Sequence, residues 1–238
     1  MTKVTPWQTL KNYLEKNKLL ENILRTLKPK EAIAHYSKIY LNAFLNANGF
    51  EFKENQLEFH RKKLEFKQII YLGCSRNNIT GHIIDFDMGF YNYCPQFQTW
   101  YNKHYGQNPV GGKLVIGNEK KMEGWNSQYQ KTIGHGTFGY DLINHDIEHQ
   151  FFVILENLQK CIIPYLNEFD SFEKIILNPN KYYEDGRFDL FSNLRQIEHC
   201  LFLGNLELAS KIRHKLYSEI SRDYEEYFQN EIKRIFKE

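Results

Sequence analysis

The stretch LEFHRKKLEFKQIIYLGCSRNNITGHIIDFDMGFY, residues 57–91, decides the fold. Its apolar residues recur at every second position. Leu57 and Phe59 alternate with Glu58 and His60. Leu64, Phe66, Ile70 and Leu72 share one face, with Lys67 on the other. Ile84, Phe86, Met88 and Phe90 alternate with Asp85 and Asp87. A period of two marks a half-buried strand, so three strands separated by polar turns predict a meandering antiparallel sheet.

Upstream the period is helical. Thr5 and Pro6 supply a cap and a first turn, and Trp7, Leu10, Tyr13 and Leu14 follow at helical spacing. A segment from Leu19 to Leu27 stops near Pro29. Ile33, Tyr36, Tyr40, Ala43, Phe44 and Ala47 then predict a helix over 30–48, ended by Asn48-Gly49. Downstream, Pro95 opens a short helix carrying Phe97, Trp100 and Tyr101. Residues 106–143 are Gly-rich, with a loop at Gly111-Gly112 and short strands at 113–116, 129–133 and 138–142.

A helix over 145–166 has the stripe Ile147, Phe151, Ile154, Leu155, Leu158 and Ile162, and Pro164 is expected to kink or end it. A short helix at 171–177 precedes a turn at Asn178-Pro179-Asn180. The remainder reads as helical. Leu194, Ile197 and Leu201 form one stripe, and Leu206, Ala209, Ile212 and Leu216 the next. Ile220, Tyr224, Tyr227, Phe228, Ile232 and Ile235 form the last. Gly204-Asn205 joins two of these helices as an αα-hairpin. The expectation is an α+β protein: an antiparallel sheet with helices packed on one face over residues 1–177, then an all-helical C-terminal subdomain over 178–238.

Composition agrees with a chain that buries a core: 42% hydrophobic, 25% charged and 16% aromatic residues over 238 positions. Net charge is +2 but unevenly spread. Residues 1–63 hold twelve Lys/Arg against six Asp/Glu, and residues 144–204 hold five against ten. The basic residues are scattered and do not form the clustered footprint of a nucleic-acid site, so no nucleic acid is expected. The four cysteines, Cys74, Cys94, Cys161 and Cys200, form no C-x-x-C pair. No apolar run approaches membrane length, and Met1–Trp7 leads into a polar helix without the apolar core of a secretory signal. The expectation is a cytoplasmic protein with reduced thiols, no membrane contact and no cofactor.

Several residues invite chemistry. Gly134-His135-Gly136-Thr137-Phe138-Gly139 fits G-x-G-x-x-G and resembles the glycine loop of a protein kinase. No V-A-I-K strand, H-R-D or D-F-G follows it, so a Gly-rich β-turn is the simpler reading. His145 and His149 stand four apart, a spacing that puts two imidazoles on one helical face, and His135 is the candidate third metal ligand. The competing reading is that Asn144 caps the helix, with Asp146 and Glu148 complementing its positive end. Asp85 and Asp87 share a strand face, as paired carboxylates for acid–base work or simply as a wet face. Cys94 precedes Pro95 at a helix N-terminus, where the dipole lowers a thiol pKa unless burial dominates. Phe90, Tyr91, Tyr93, Phe97, Trp100, Tyr101 and Tyr105 make a dense aromatic cluster, for packing or for binding.

The order of elements resembles a bacterial single-domain α+β family of unknown function. The resemblance covers roughly residues 30–177. It rests on Asn48-Gly49-Phe50 leading into the β meander and on a late helix, Ile154-Leu155-Glu156-Asn157-Leu158, running into Ile163-Pro164-Tyr165-Leu166. It implies no catalytic residues. Two functions follow from the residues. One is a non-enzymatic protein-binding module of immunity or adaptor type, with another protein as partner. The alternative is a metal-dependent hydrolase using His145 and His149, with His135 or Asp85/Asp87 as further ligands and Glu148 as base.

Overall fold

The structure is a computed structural model that describes Leu24, residues 26–106 and 113–116, Met122, and residues 124–133, 137–184, 192–219 and 224–237. The predicted helices before Leu24 lie outside the described residues. The chain is α+β. Helices α1 (Pro29–Tyr40) and α2 (Asn42–Ala47) precede strands β1 (Glu51–Lys53), β2 (Glu58–Lys63), β3 (Phe66–Cys74) and β4 (Asp85–Tyr93). Helix α3 (Pro95–Tyr105) and strands β5 (Lys113–Ile116), β6 (Lys131–Ile133) and β7 (Thr137–Asp141) follow. Helices α4 (Ile147–Asn157), α5 (Ile163–Asn167), α6 (Phe172–Ile176), α7 (Ser192–Phe202), α8 (Leu206–Glu219) and α9 (Glu225–Phe236) complete it. The strands are bonded in the order β1-β2-β3-β4-β7-β6, with β5 pairing β4. Among the described residues no helix is long and apolar enough to cross a membrane.

Two compact units share this chain. The first comprises Met1–His60, Ile70–Gly89 and Lys120–Ile163, and the second Arg61–Ile69, Phe90–Glu119 and Pro164–Glu238. In the first unit Phe151 of α4 is the hub. Its ring lies 5.1 Å from Tyr40, 6.4 Å from Tyr36 and 6.1 Å from Phe86, and Phe86 meets Tyr140 at 5.4 Å. Aromatic contacts of this kind add to the burial of large apolar surface. Strands β3 and β4 make room for each other. A Cβ on Gly89 would come within 2.3 Å of the Tyr71 ring, and one on Gly73 within 1.9 Å of the Asp87 carboxylate. Each glycine lies under a side chain of the opposing strand, and at Gly89 an aromatic ring covers the glycine.

In the second unit two apolar clusters stack along the helices. Phe97, Phe169, Phe172 and Tyr182 centre one, and Ile197, Cys200, Ala209 and Ile232 the other. The polar staple is Gln68, fully buried on β3. Its amide nitrogen donates to the Leu166 carbonyl at 2.6 Å, and its oxygen accepts from Arg61 Nε at 2.9 Å and Nη2 at 2.5 Å. Arg61 Nη2 also reaches Asn167 Oδ1 at 2.9 Å. The end of α5 thereby gains a side-chain partner for a carbonyl that a helix terminus leaves unmatched. Glu65, in the β2–β3 turn, accepts from the Phe172 N–H at 2.7 Å, and Ser171 caps Lys174 N–H at 3.2 Å.

Four expectations change. Leu64 does not join the buried face of β3. It sits in the two-residue hairpin turn at φ 53° and is exposed, because tight hairpin turns place a residue at positive φ. The helix expected over 30–48 breaks at Leu41, whose backbone leaves ideal helical values. That re-phases the stripe, so Leu41 and Leu45 are buried while Ala43 and Ala47 are exposed. Pro164 does not end its helix, which runs on to Asn167, and the irregularity falls in the turn before it. A π-helical turn, Leu158–Ile162, carries α4 into α5. Proline offers no N–H to the carbonyl four residues back, and a wider turn accommodates that loss. Finally, Tyr224 and Tyr227 are exposed, leaving Ile232 and Ile235 as the buried anchors of α9.

Truncating Gln68 removes one partner from both the Arg61 guanidinium and the Leu166 carbonyl. Gln68→Ala is expected to destabilise the chain by about 1–3 kcal/mol in urea titration, the cost of unmatched buried polar groups. Lys67→Ala, on the opposite face, should leave the midpoint essentially unchanged; equal effects would refute the staple.

Candidate functional site

The residues singled out by sequence are dispersed. Helix α4 begins at Ile147, and its cap is Asp146, not Asn144: Asp146 Oδ1 accepts the His149 N–H at 2.9 Å. His145 therefore precedes the helix, and the four-residue spacing does not give His145 and His149 a common helical face. Both are exposed, and His145 lies against Tyr129, 5.6 Å between centroids. His135 lies outside the described residues. Its flanking strands β6 and β7 pair antiparallel, with Ile133 opposite Thr137. Among the described residues, no three His, Cys, Asp or Glu side chains form a group that could hold a metal ion.

Asp85 and Asp87 do not form a wet face. Asp85 is buried, and Asp87 is half-buried over Gly73, where desolvation raises its carboxyl pKa. Asp141, opposite Asp85 on β7, is buried and spent on a turn. Its Oδ1 accepts from the Ile143 and Asn144 N–H groups, and its Oδ2 from Asn144 Nδ2 at 2.6 Å. Cys94 caps α3 through its sulfur, 3.5 Å from the Phe97 N–H, yet burial pushes its thiol pKa up. Desolvation outweighs the helix end. Cys161 and Cys200 are also raised by burial, Cys200 to about 11. The aromatic cluster is mainly core: Phe90, Phe97 and Tyr101 are buried, Trp100 packs on Phe97 and Tyr105 on Tyr101.

One site among the described residues was not anticipated. It lies wholly in the second unit, where α3, α7 and α9 enclose a partly open cleft of about 80 Å³. Leu194, Arg195 and Glu198 come from α7, Tyr227, Glu231 and Arg234 from α9, and Tyr101 from α3. Glu198 is the floor, with its side chain 5% exposed. Its Oε1 accepts from the Tyr105 hydroxyl at 2.7 Å and its Oε2 from Arg195 Nη1 at 2.7 Å. Burial, and then the Glu198 charge, raise the Tyr105 pKa, so the phenol stays a neutral donor. Arg195 lies over the Tyr101 ring at 5.6 Å and Arg234 over the Tyr105 ring at 4.2 Å. Arg234 Nε and Nη2 both donate to Glu231 Oε2, at 3.1 and 2.6 Å.

Behind the cleft, His199 is fully enclosed. Its rings neighbours are Phe97 and Phe172, at 5.0 and 4.9 Å, and its Nδ1 shares a 2.7 Å hydrogen bond with the Tyr183 hydroxyl. Burial, aided by the Arg195 charge, holds its pKa well below 6.5. The signal in the sequence was Glu198 itself, four residues after Leu194 and one after Ile197, a charge on the apolar stripe of an amphipathic helix.

Neither a family model, nor a curated protein, nor a solved structure matches the chain.

The state of His199 sets a pH dependence. Its folded pKa is depressed, so the unfolded chain takes up a proton that the folded chain refuses. The stability it contributes is complete above about pH 6.5 and is lost as pH falls below it, by up to about 1.4 kcal/mol per pH unit. Urea titrations at pH 7.5, 6.5 and 5.5 should show this decline, and His199→Phe should flatten it. An equal slope in the variant would contradict a neutral buried imidazole.

Proposed function

We propose that this chain is a non-enzymatic protein-binding module whose binding surface is the cleft formed by α3, α7 and α9. The observation that carries the proposal is the cleft's make-up: Arg and Tyr side chains held in fixed positions over a buried carboxylate. Tyr and Arg dominate the energetic centres of protein interfaces, where rigid, partly desolvated side chains lose little entropy on binding. Arg195 and Arg234 are held by carboxylates and stacked on tyrosines, so the surface is organised before a partner arrives. Tyr227, 43% exposed, stands at the rim with Tyr224 close by in sequence.

Size favours a protein partner over a metabolite. A small-molecule pocket typically offers about 300–1,000 Å³. This cleft, at about 80 Å³, suits a single inserted side chain. The groups elsewhere in this unit with reactive potential serve packing: the thiols of Cys94 and Cys200 are buried and their pKa values raised.

A photoreactive p-benzoylphenylalanine in place of Tyr227, in protein expressed in its own host, tests the reading. Irradiation should give one discrete protein adduct, and Arg234→Ala should abolish it. The same group in place of the exposed Ile79 of the other unit should give none. An adduct that survives Arg234→Ala, or no adduct from position 227, would refute the cleft as the binding surface.

A further inference from the structure

We infer that the cleft receives an acidic side chain of the partner, and that Glu231 holds the place of that carboxylate in the free protein. The inference rests on the protein-binding reading above and adds the chemistry of what is recognised.

The four charges of the cleft differ in how firmly they are held. Glu198 and Arg195 are 5% and 13% exposed and bonded to each other, and Glu198 also takes the Tyr105 hydroxyl. Removing either leaves a buried charge uncompensated, so both stay. Arg234 is 43% exposed, but its guanidinium lies 4.2 Å from the Tyr105 centroid and 3.9 Å from Glu198. It is anchored by its face, with its edge turned to Glu231. Among the described residues its Nη1 has no hydrogen-bond partner. Glu231, 25% exposed, has the fewest ties of the four among the described residues. They are the bonds to Arg234, one turn away on the same helix. A lone pair within one helix that water still reaches contributes little.

Turning Glu231 outward breaks that one pair and leaves Arg195 and Arg234 facing one carboxylate, Glu198. The vacated cleft then carries one net positive charge. An entering carboxylate inherits the edge of Arg234, a planar fork suited to two parallel hydrogen bonds. An entering cation finds no comparable place. It would have to take Glu231 from Arg234, which its ring stacking and Glu198 hold in position. The cleft has room for a single Asp or Glu side chain, flanked by Tyr101 and Tyr227.

The probe is N-acetylglutamate α-amide, whose one carboxylate is a side chain, set against N-acetylglutamine α-amide, which has none. Resonances of the Arg234 side chain and of α9 amides are followed by NMR during titration. The carboxylate probe should shift them saturably and the amide should not. Glu231→Gln should tighten the carboxylate about two- to five-fold, the worth of one displaced surface pair, with Glu231→Ala as a second variant. Arg234→Gln should abolish the response. Equal binding of both probes, no tightening in either Glu231 variant, or a preference for N-acetylalanine, an α-carboxylate, would overturn the inference. Carboxylate binding without a Tyr227 cross-link would remove the protein partner and keep the site. A cross-link without carboxylate preference would do the reverse.

Discussion

Glu198 is the constraint on which the helical unit depends. A carboxylate taken out of water carries a desolvation penalty of several kcal/mol and is tolerated only when its lone pairs are met by well-placed donors. Here one donor is local and the others come from distant parts of the chain. Tyr105 is the last residue of α3, and Arg195 lies one turn before Glu198 on α7. Arg234 of α9 approaches Oε1, the oxygen that Tyr105 bonds, to 3.9 Å. Three helices are thereby brought to a common point with one charge geometry, and the cleft is the space they leave. Ile197, Ile232 and Ile235 are buried in apolar packing, which does not fix an orientation as hydrogen bonds do.

The same logic recurs at Gln68, where an uncharged group does the stapling. A carboxamide with both ends matched joins β3 to the end of α5 and to Arg61. Burial lowers the pKa of Arg61, the expected sense for a cation losing water. In both places a polar side chain on an otherwise apolar surface determines which arrangement of helices and strands is satisfied. His199 shows the complementary solution, in which the group gives up its charge instead of finding a counter-ion.

The alternation in 57–91 made the strands legible because each is covered on a face of Phe, Ile and Leu. The short strands at 113–116 and near 131 and 138 were legible too, as were the helices about Gly204, whose φ of 73° ends one before the next. Legibility failed where geometry overrode pattern. Leu64 was apolar and in phase, but the hairpin needed a turn residue there. Pro164 carried a signal to kink or end the helix, and the helix passes through it by a π turn just before. Among the candidate site residues the failure had another origin. His145 and His149 are neighbours in sequence, and helix α4 starts between them. Tyr105, Arg195, Glu198 and Arg234 converge from positions spread over more than half the chain, and no local window contains them. Only Glu198, a charge on an apolar stripe, betrayed itself.

The most direct measurement is a double-mutant cycle between Tyr105→Phe and Glu198→Gln, read by urea denaturation. If Glu198 organises the cleft through the Tyr105 hydroxyl, the two substitutions are coupled. The double variant should then be less destabilised than the sum of the singles by at least about 1 kcal/mol, well above the few tenths expected of independent sites. Additive effects would mean that the hydroxyl and the carboxylate do not support each other, and the cleft would lose the interaction that gives it a fixed shape.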